Sequence, residues 1–590
     1  MYLLGLSFFY HDSSAVILKD GAILGAVQEE RFSRRKFDNG FPHHSIRHLL
    51  NEAGININQI DEIIYYENPR QKFGRIVSSF VATAPKNWRT FGRAIEAQLR
   101  RKLWIKQIIR RETGFRGKIS YVDHHQSHAA SAFYPSPFSE AAFLTLDGVG
   151  EWQTTTWGTG ENNRLSFLGA INFPHSLGLL YAAFTYFTGF KVNSGEYKLM
   201  GLAPYGEPKY VQMILDNLIE LKPDGIFRIN QDYFDYATGE KMINDKFCAL
   251  FGRQPRRPES PLTQDDMDLA RSIQEVTERA ILRLATRVKK DTGQKNLCLA
   301  GGVALNCVAN GKLLESGLFE NIWIQPAAGD AGGSLGAALY HWHQILGQPN
   351  SPKPTSYFFN PYLGPAYDEK AIREFLDSNY LPYSRPENLA ATVAGLLAAG
   401  QVIGWFQERM EFGPRALGNR SILGHPGLPE MQNKMNLKIK FRESFRPFAP
   451  AVLEEGAAEW FEKAISSPYM LFVFPLRQEK RIKEPIGTEK LFGLEKLNIL
   501  RSAVPAITHV DYSARIQTVS QKTNPRFYDL IQKFYERTGL PMIVNTSFNV
   551  RGEPIVCTPE EAYRCFMRTD IDYLVLGDFL LAKKEQHDLD

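Results

Sequence analysis

The hydrophobic and polar positions near the start of the chain predict a β-meander followed by a basic helical arm. Residues 3–30 hold alternating apolar runs on either side of Asp20-Gly21, a dipeptide typical of tight hairpin turns. From 70 to 118, apolar side chains recur at helical spacing among 14 basic and two acidic residues. This arm could pack on the first domain, line a substrate channel or contact a second subunit. Its charge leaves binding to nucleic acid or to an anionic membrane surface as alternatives.

Strands and helices then alternate along the chain. The strand KISYVD precedes a helix from about His124 to Phe133, and AAFLTLDGVG forms the next strand. Apolar residues between 273 and 288 recur three and four positions apart, which predicts a helix that ends near Gly293 and leads into the strand NLCLAGG. After the strand IWIQPA, a Gly-rich turn opens the helix of GDAGGSLGAALY. This pattern is typical of an α/β domain whose active-site loops follow its strands.

A proline-rich stretch divides the chain. Residues 347–365 contain five prolines and cannot continue a helix. We therefore predict a first domain over 1–350, which includes the arm, a linker over 351–366 and a second domain over 367–590. The second domain alternates again, from the helix AATVAGLLAAG and the strand QVIGWF to the helix PEEAYRCFMRT, and its last residues could return to the first domain. No sequence repeat of about 20 to 50 residues is evident.

Composition and charge exclude several classes of protein. A chain of 590 residues with 44% hydrophobic and 23% charged residues is typical of a soluble protein of roughly two to four domains. The 69 Lys and Arg nearly balance the 64 Asp and Glu, so net charge does not favour wrapping by nucleic acid. The five scattered cysteines predict neither a disulfide framework nor a zinc ribbon. Because no signal peptide or long apolar run is evident, we expect a cytoplasmic protein without a membrane span.

The most concentrated chemical signal is DHHQSHAA. His124 and His128 are four residues apart, so on a helix their imidazoles share a face and could bind one ion, whereas His125 would point off that face. Asp147 and Asp330 follow predicted strands and are candidates to complete the site. Two imidazoles and two carboxylates suit Fe(II), zinc or manganese, so these ligand types do not select the metal. Helix-surface histidines and turn aspartates are the structural alternative.

Gly-rich turns form a second signal in the first domain. Turns after apolar strands expose backbone N–H groups, and glycine removes the side chain that would block an approaching phosphate. The candidates for nucleotide binding are Gly148, Gly150, Lys198, Gly301, Gly302 and Asn306. Neither a P-loop nor the dinucleotide-binding motif G-x-G-x-x-G is present.

A third signal is a set of cations among apolar residues and glycines of the second domain. Arginine binds phosphate or carboxylate oxygens in pairs, while lysine supplies a point charge. The candidates to bind a polyanionic nucleotide and a second anion are Arg415, Lys440, Arg442, Arg446, Arg515, Ser547, Asn549 and Arg551. A solvated charged face and ordinary turn residues are the alternatives.

Together these motifs resemble the NodU/CmcH-type O-carbamoyltransferases, the family that includes nodulation-factor, cephamycin and tobramycin carbamoyltransferases. The resemblance covers nearly the whole chain and rests on HDSSA, QEERFSRRK, DHHQSHAASAF, LDGVGEW, GEYKLMGLAPYG, LAGGVALN, PAAGDAGGSLGAA, FGPRALGNRSILG, FRPFAPAV and NTSFNVRGEPIV. It implies an actin/hexokinase-like (ASKHA, TsaD-like) N-terminal domain and a YrdC-like C-terminal α/β domain.

The resemblance also implies a reaction in two steps. The C-terminal domain would form carbamoyl adenylate from carbamoyl phosphate and ATP, with Mg²⁺ accompanying ATP. The N-terminal domain would pass the carbamoyl group to a hydroxyl and release AMP. By motif match, Fe²⁺ would be bound by His124, His128, Asp147 and Asp330. His11 would lie at the reacting carbamoyl group, where an imidazole of ordinary pKa, near 6.5, could take the hydroxyl proton.

The implied sites in the second domain follow the same match. Lys440 and Arg442 as K-x-R, with Ser547 and Asn549 as S-x-N, resemble the pattern of YrdC-type proteins. The best candidates for carbamoyl phosphate and ATP oxygens are Arg415, Lys440 and Arg446.

Two other functions stay open. Threonylcarbamoyl transfer to tRNA would use the basic arm to bind RNA. A non-catalytic nucleotide-binding protein would use the arm to attach to a membrane surface. For the preferred function we expect a small-molecule hydroxyl acceptor and no nucleic-acid partner, and a homodimer is plausible. The identity of the acceptor does not follow from the sequence, although loops around Tyr10, His11, Lys36 and 225–265 are expected to contact it.

Overall fold

The chain divides into two compact units. The computed structural model describes residues 1–83, 104–237, 241–354, 357–483, 488 and 491–589. The first unit comprises Met1–Glu29 and Phe37–Phe359, and the second comprises Glu30–Lys36 and Asn360–Asp590. A short segment from near the N-terminus therefore belongs to the second unit. The C-terminal residues are grouped with the second unit.

The first unit contains two sheets of the same topology. The strands of the first sheet are β1 (Tyr2–Ser7), β2 (Ser14–Lys19), β3 (Ala22–Gln28), β4 (Glu62–Tyr65) and β5 (Lys118–Tyr121). Their order is β3-β2-β1-β4-β5; β1, β2 and β3 are antiparallel, and β4 and β5 run parallel to β1. The predicted hairpin is confirmed, since Asp20 and Gly21 have φ values of 49° and 82°, as a two-residue turn with left-handed residues requires.

The second sheet repeats this order. Its unit continues with β6 (Glu140–Leu146), β7 (Gln153–Glu161), β8 (Arg164–Asn172), a separate hairpin of β9 (Ile219–Leu221) and β10 (Phe227–Ile229), then β11 (Asn296–Ala300) and β12 (Asn321–Ile324). The sheet order is β12-β11-β6-β7-β8. As in the first sheet, three strands, β6, β7 and β8, are antiparallel, and two strands, β11 and β12, run parallel to the first of these. This duplicated sheet confirms the actin/hexokinase-like fold expected for the unit.

Helices connect the strands and bring the polar strand ends together. They are His43–Glu52, Pro69–Thr83, Ile105–Thr113, His124–Phe133, Leu177–Phe187, Glu196–Leu202, Val211–Asn217, Asp245–Leu250, Gln264–Thr292, Cys307–Glu315 and Ala331–Tyr340, the last followed by a π-helix over His341–Ile345. Short 3-10 turns are Ile57–Gln59, Ala203–Tyr205, Gln231–Tyr233 and Gly302–Leu305. The helix ending at Gly293 is confirmed, and this glycine has a φ of 66°.

Two helices of this unit approach each other very closely. A Cβ added at Gly336, in Ala331–Tyr340, would lie 1.7 Å from the backbone oxygen of Ser127, in His124–Phe133. Because both positions are inside helices, only a residue without a side chain permits this separation. The contact places Asp330, just before the one helix, beside the histidines of the other.

The basic arm forms part of the first unit. Residues 84–103 lie outside the described part, and the flanking segments form the helices Pro69–Thr83 and Ile105–Thr113. Ile105, Ile108 and Ile109 are buried, so the second of these helices packs through its apolar face. At the end of the predicted span, Lys118 begins β5.

The second unit is built on a seven-stranded mixed sheet. Its strands are β13 (Ile403–Phe406), β14 (Arg420–Gly424), β15 (Ala449–Leu453), β16 (Val473–Pro475), β17 (Ser513–Arg515), β18 (Gln517–Val519), β19 (Met542–Ser547), β20 (Tyr573–Leu576) and β21 (Phe579–Ala582). The main sheet has the order β18-β15-β19-β14-β13-β20-β21, while β16 and β17 pair separately. The strands QVIGWF and PMIVNTSFN predicted from the sequence are β13 and β19.

Helices cover this sheet and form an α/β core. They are Glu30–Ser33, Glu369–Ser378, Leu389–Ala398, Met431–Asn433 with a π-helix over Lys434–Ile439, Glu454–Trp460, Pro525–Thr538 and Pro559–Met567, with 3-10 turns at Gln478–Lys480, Gly493–Asn498 and Lys583–Glu585. Trp405, Phe527 and Ile543 are buried at the centre of the core. The α/β class predicted for the second unit is confirmed.

Two further observations bear on the classes of protein considered above. Among the described residues, none of the helices is both long and apolar enough to pass through a bilayer. All five cysteines are buried free thiols.

Candidate active site

Four side chains distant in sequence converge in the first unit. His124 and His128 lie on one face of their helix, with Nε2 atoms 3.1 Å apart. Asp147 follows β6, and its Oδ2 is 3.1 Å from His124 Nε2. Asp330 precedes the helix Ala331–Tyr340, and its Oδ1 lies 3.7 Å from both Nε2 atoms. One ligand atom from each residue falls within 4.8 Å of the other three, and all four residues are buried.

The donor set fits a divalent transition metal. Two ring nitrogens 3.1 Å apart and two carboxylates in a buried site make an arrangement that a cation would stabilise. Asp330 Oδ2 is buried without a hydrogen-bond partner among the described residues, which leaves a free oxygen for such an ion. His125 lies off the shared face, as expected, with Nδ1 2.7 Å from Thr145 Oγ1. These ligands accommodate Fe²⁺, zinc or manganese.

Charge pairing inside the cluster is strong. Burial alone would lower the pKa of His124, but the hydrogen bond to Asp147 and the charge of Asp330 raise it to about 9. Burial would raise the pKa of Asp147, yet the hydrogen bond to His124 and the neighbouring imidazoles hold it well below its usual range. The cluster thus strongly favours positive charge at its centre.

The glycines of the first unit shape this cluster. The Gly302 N–H donates to Asp147 Oδ1 at 3.0 Å, so it orients a candidate metal ligand. Gly301 has a φ of 92°, and a Cβ there would lie 2.2 Å from the Leu146 oxygen. At Gly150 a Cβ would lie 3.0 Å from that of His124, whereas the space around Gly148 is open within 4 Å. Of these four, Gly148 leaves most room for a nucleotide.

Asn306 and Lys198 are less clearly placed for nucleotide binding. Asn306 Oδ1 accepts the Ala309 N–H at 3.1 Å and thereby caps the helix Cys307–Glu315. Its amide group also exchanges hydrogen bonds with Gln274, at 3.0 and 3.1 Å. Lys198 is half-buried, with Nζ 5.7 Å from the ring centroid of Phe190. The Asn306 side chain is therefore engaged in local structure.

His11 is held between two oxygen atoms. Its Nδ1 lies 3.0 Å from Asp12 Oδ2, and its Nε2 lies 3.0 Å from the backbone oxygen of Asn193. Both partners are acceptors, so both ring nitrogens carry protons in this arrangement. Burial would lower the pKa of His11, but the charge and hydrogen bond of Asp12, together with Asp330, raise it to about 10. His11 is therefore an imidazolium at neutral pH.

A charged wall beside the cluster was not singled out from the sequence. Lys72 and Arg75 lie on the helix Pro69–Thr83 and are only 2% and 8% exposed. Lys72 Nζ is 2.6 Å from Glu67 Oε2 and 4.3 Å from the ring centroid of Tyr10. Glu151 accepts the His124 backbone N–H at 3.0 Å. The positions of Glu67 after β4 and of Glu151 within LDGVGEW were usable signals, whereas the two cations lie in the basic arm, for which the sequence left several roles open.

In the second unit, Lys440 lies at the centre of the S-x-N loop. Its Nζ donates to the backbone oxygens of Ser547 and Asn549, both at 2.7 Å, and to Asn549 Oδ1 at 2.5 Å. The residue is 3% exposed. Burial lowers the pKa of Lys440, and the nearby charge of Arg442 adds to this effect. The predicted association of K-x-R with S-x-N is therefore present.

Further cations surround Lys440. Arg446 and Arg551 both approach Glu443, with nitrogen–oxygen distances of 2.8 and 3.8 Å, and the Arg551 N–H donates to the Lys440 backbone oxygen at 3.1 Å. Arg442 Nε donates to Asn436 Oδ1 at 2.7 Å. The remaining two predicted cations are half-buried, in the loop between β13 and β14 and at the end of β17: Arg415 and Arg515.

The segment Glu30–Lys36 contributes to the same unit. Arg31 donates to the Gly413 backbone oxygen at 2.6 Å, and Arg34 donates to those of Pro554 and Ile555 at 2.9 and 2.8 Å. Lys36 acts electrostatically on Lys440 and lowers its pKa. The sequence analysis placed Lys36 among acceptor contacts of the first domain. The structure instead assigns it to the second unit, because its segment is fixed there by main-chain acceptors.

Two family models match the chain. They are described as the carbamoyltransferase N-terminus, over residues 2–339, and the carbamoyltransferase C-terminus, over residues 394–583.

Similar proteins extend over most of the chain. An uncharacterized protein of Synechocystis sp. is 56% identical and covers 99% of this chain and 97% of its own. The nodulation protein NolNO of Sinorhizobium fredii is 37% identical over 98% of this chain and 79% of its own, and NolO of Bradyrhizobium diazoefficiens is 41% identical over 78% and 79%.

Solved structures with lower similarity were also found. Component A of the (R)-2-hydroxyglutaryl-CoA dehydratase of Acidaminococcus fermentans is 17% identical, covers 59% of this chain and 99% of its own, and gives a TM-score of 0.31. HypF of T. kodakarensis is 14% identical, with 59% and 48% coverage and a TM-score of 0.31.

Proposed function

Because the chain belongs to the carbamoyltransferase family, we propose that this enzyme is an ATP-dependent O-carbamoyltransferase with a small-molecule, natural-product hydroxyl acceptor. In this proposal the second unit forms carbamoyl adenylate from carbamoyl phosphate and ATP, and the first unit transfers the carbamoyl group to the acceptor. The observation that carries the proposal is the convergence of His124, His128, Asp147 and Asp330 at one buried point.

The chemistry explains why two differently charged sites are useful. A carbamoyl group becomes a better electrophile when its leaving group is the phosphate of AMP, so activation precedes transfer. Activation brings several phosphates together, which requires cations. Lys440, Arg442 and Arg446 provide a concentrated positive charge, partly buried, where phosphate oxygens would replace the backbone acceptors now bound to Lys440 Nζ.

Transfer has different requirements. A divalent cation at the four-residue cluster, Fe²⁺ by the family resemblance, would when bound supply positive charge for the AMP phosphate and the carbamoyl carbonyl. Asp147 is oriented by the Gly302 N–H, and Asp330 by the helix that it precedes. These contacts keep the ligands fixed before substrate arrives.

His11 fits a role as a proton donor in transfer. The sequence analysis gave it the role of base, but the imidazolium held by Asp12 has no lone pair to offer. In this form it would donate a hydrogen bond to the carbamoyl oxygen or the departing phosphate. To act as a base, the ring would first have to lose a proton and its contact with Asn193.

The proposal is tested by separating the two half-reactions. Lys440→Met should abolish pyrophosphate release from ATP and carbamoyl phosphate but retain AMP release from supplied carbamoyl adenylate. His128→Ala should show the reverse pattern and a reduced metal content. The matched control is Lys438→Met, because Lys438 is exposed on the same segment. If His128→Ala transferred the carbamoyl group at the wild-type rate, the assignment of transfer to this cluster would be wrong.

One observation argues against the alternative function, threonylcarbamoyl transfer to tRNA. Two cations of the basic arm, Lys72 and Arg75, are buried against the first unit rather than presented on a surface. Binding of tRNA at physiological salt would nevertheless revive that function, and an electrophoretic shift assay would detect it.

A further inference from the structure

Arg75 is a buried cation without a direct hydrogen-bond or ion-pair partner among the residues that the structure describes. The side chain is 8% exposed and forms neither a hydrogen bond nor an ion pair with residues in the described ranges. Its Cζ lies 4.9 Å from the ring centroid of Phe173, which accommodates the guanidinium but does not neutralise it. A buried guanidinium whose N–H donors have no acceptor is unfavourable, so a site of this kind is best explained by a ligand that accepts hydrogen bonds from it.

The nearby carboxylates are already engaged. Glu67 pairs with Lys72 at 2.6 Å, and both are 2% exposed. Glu151 accepts the backbone N–H groups of Asn68 at 2.6 Å and of His124 at 3.0 Å. Lys72 and Glu67 neutralise each other, and Glu151 acts on Arg75 through its charge without a direct contact, so none of these carboxylates accepts a hydrogen bond from the guanidinium.

The helix that carries Arg75 is linked to the four-residue cluster through Glu151, which accepts the backbone N–H groups of Asn68, just before that helix, and of His124. Both the cluster and Arg75 act on the pKa of the Tyr10 phenol. Burial raises this pKa, and the charges of Asp147 and Asp330 raise it further, whereas the charge of Arg75 lowers it. Tyr10 and Glu67 follow β1 and β4 of the first sheet, whereas Gly301 and Gly302 follow β11 of the second. Arg75 is therefore associated with residues that follow strands of the first sheet, whereas the glycines considered for the nucleotide follow strands of the second sheet.

We propose that Arg75 binds a carboxylate or phosphate group on the hydroxyl acceptor, so that the acceptor is an anionic hydroxylated compound. This inference rests on the proposed carbamoyl transfer and adds the chemical class of the acceptor. An arginine fork binds either group through paired N–H donors and holds the rest of the acceptor in one orientation.

Aromatic residues next to Arg75 complete the recognition. Phe173 donates its backbone N–H to the Trp152 oxygen at 2.7 Å, which places these two aromatic residues together. Trp152 is 37% exposed, an unusual exposure for so large a side chain, and the rings of Phe173 and Tyr236 lie 6.4 Å apart. Aromatic faces combined with one cation suit a sugar acid, a sugar phosphate or a similar polyol.

The group that Arg75 would bind takes no part in the transfer step. The acceptor oxygen forms a bond to the carbamoyl carbon, and the bond from that carbon to the AMP phosphate oxygen breaks. The electron pair leaves with AMP, and the hydroxyl proton passes to solvent or to a basic group, so the products are the O-carbamoyl compound, AMP and H⁺. Arg75 takes no part in these bonds and is a positioning residue.

Direct binding tests the class of acceptor without knowledge of its identity. D-gluconate and D-glucose 6-phosphate serve as anionic probes, D-glucose as the neutral probe and D-glucosamine as the cationic probe. Isothermal titration of the full-length, metal-loaded protein would compare wild type with Arg75→Met and Arg75→Lys. Arg47→Met is the matched control, because Arg47 is an exposed arginine of the same unit. Metal content and circular dichroism would establish that each variant is folded.

The expected result is tighter binding of at least one anionic probe than of glucose, weakened about tenfold or more by Arg75→Met, in part restored in Arg75→Lys and unchanged in Arg47→Met. Equal affinities for charged and neutral probes, or no effect of Arg75→Met, would overturn the proposal. AMP is titrated in parallel. If Arg75→Met weakened AMP but not the anionic probes, Arg75 would belong to the nucleotide and the proposal would also fail.

Activity measurements keep this inference separate from the proposed function. In a screen of hydroxylated acceptors with supplied carbamoyl adenylate, anionic acceptors should be used best. Arg75→Met should raise their KM about tenfold or more while kcat changes little, as expected for a contact made equally in ground and transition states. If wild type released no AMP with any acceptor, the proposed function would fail irrespective of the binding data. If neutral acceptors were carbamoylated equally well and Arg75→Met left KM unchanged, the acceptor class would be wrong and carbamoyl transfer would stand.

Discussion

His11 can be recognised as a candidate site residue from the sequence, but its protonation state cannot. The motif HDSSA places a histidine after β1, but only the structure shows a carboxylate at one ring nitrogen and a carbonyl at the other. With a pKa of about 10, the ring is protonated at neutral pH. A residue chosen for an ordinary imidazole pKa is therefore better suited to donate a proton than to accept one.

The pH dependence of transfer distinguishes these roles. If the imidazolium is required, transfer from supplied carbamoyl adenylate should be constant near neutral pH and fall as the pH rises through about 10. A required neutral base would instead make the rate rise toward that pH. The groups that act on His11 are Asp12 and Asp330, and Glu196 is close enough to respond to its charge.

Asp12→Asn provides the confirming variant. Loss of the carboxylate that raises the His11 pKa should move the falling limb of the rate profile to lower pH. Asp20→Asn is the control, because Asp20 is an exposed carboxylate of the β2–β3 hairpin. A limb that stays in place in Asp12→Asn would mean that another group titrates.

At the scale of elements, the close contact of two helices controls the geometry of the four-residue cluster. We expect Gly336→Ala to push the helix Ala331–Tyr340 from His124–Phe133, because the added methyl would overlap the Ser127 oxygen. The cost in free energy of unfolding should be about 1 to 3 kcal/mol, typical of overpacking. Metal affinity should fall with it, since one helix carries His124 and His128 and the other is preceded by Asp330. Denaturant unfolding and metal titration would measure both effects.

Gly201→Ala is the matched helical control. No atom lies within 4 Å of the added methyl, and alanine is favoured over glycine inside a helix by up to about 1 kcal/mol. Wild-type metal affinity in Gly336→Ala would show that the helix contact does not position the ligands.

Local pattern was sufficient to predict the elements and part of the site. The four-residue spacing of His124 and His128 is a property of one helix, and Asp147 follows a strand, so both could be inferred from neighbours in sequence. The role of Arg75 could not, because a charge at helical spacing looks the same whether it faces solvent or a ligand. The duplicated sheet left no repeat in the sequence, since two copies of a fold need not share residues, and only the family resemblance led us to expect it.

At the scale of the whole molecule, the segment Glu30–Lys36 contributes to the stability of the second unit. Arg34 donates to two backbone oxygens and pairs with Glu561 at 3.2 Å. Arg34→Met should therefore lower the free energy of unfolding of this unit by about 1 to 3 kcal/mol. It should also weaken pyrophosphate release more than transfer from supplied carbamoyl adenylate. Denaturant unfolding followed by both half-reaction assays would detect the difference.

Arg35→Met is the adjacent control. Arg35 is exposed, so its replacement should change stability by less than about 0.5 kcal/mol. Equal destabilisation by the two variants would show that the bonds of Arg34 are not responsible. The sequence could not reveal this role, because QEERFSRRK lies more than 500 residues from the oxygens that Arg34 binds.

The path of the chain limits how these enzymes can be recombined. Since Glu30–Lys36 belongs to the second unit, a chimera joined only at residue 360 would combine a foreign second unit with seven residues selected for another partner. A functional exchange between relatives requires two grafts, one of which replaces Glu30–Lys36, between β3 and the helix His43–Glu52. Engineers who transplant the second unit should therefore carry that short N-terminal piece with it.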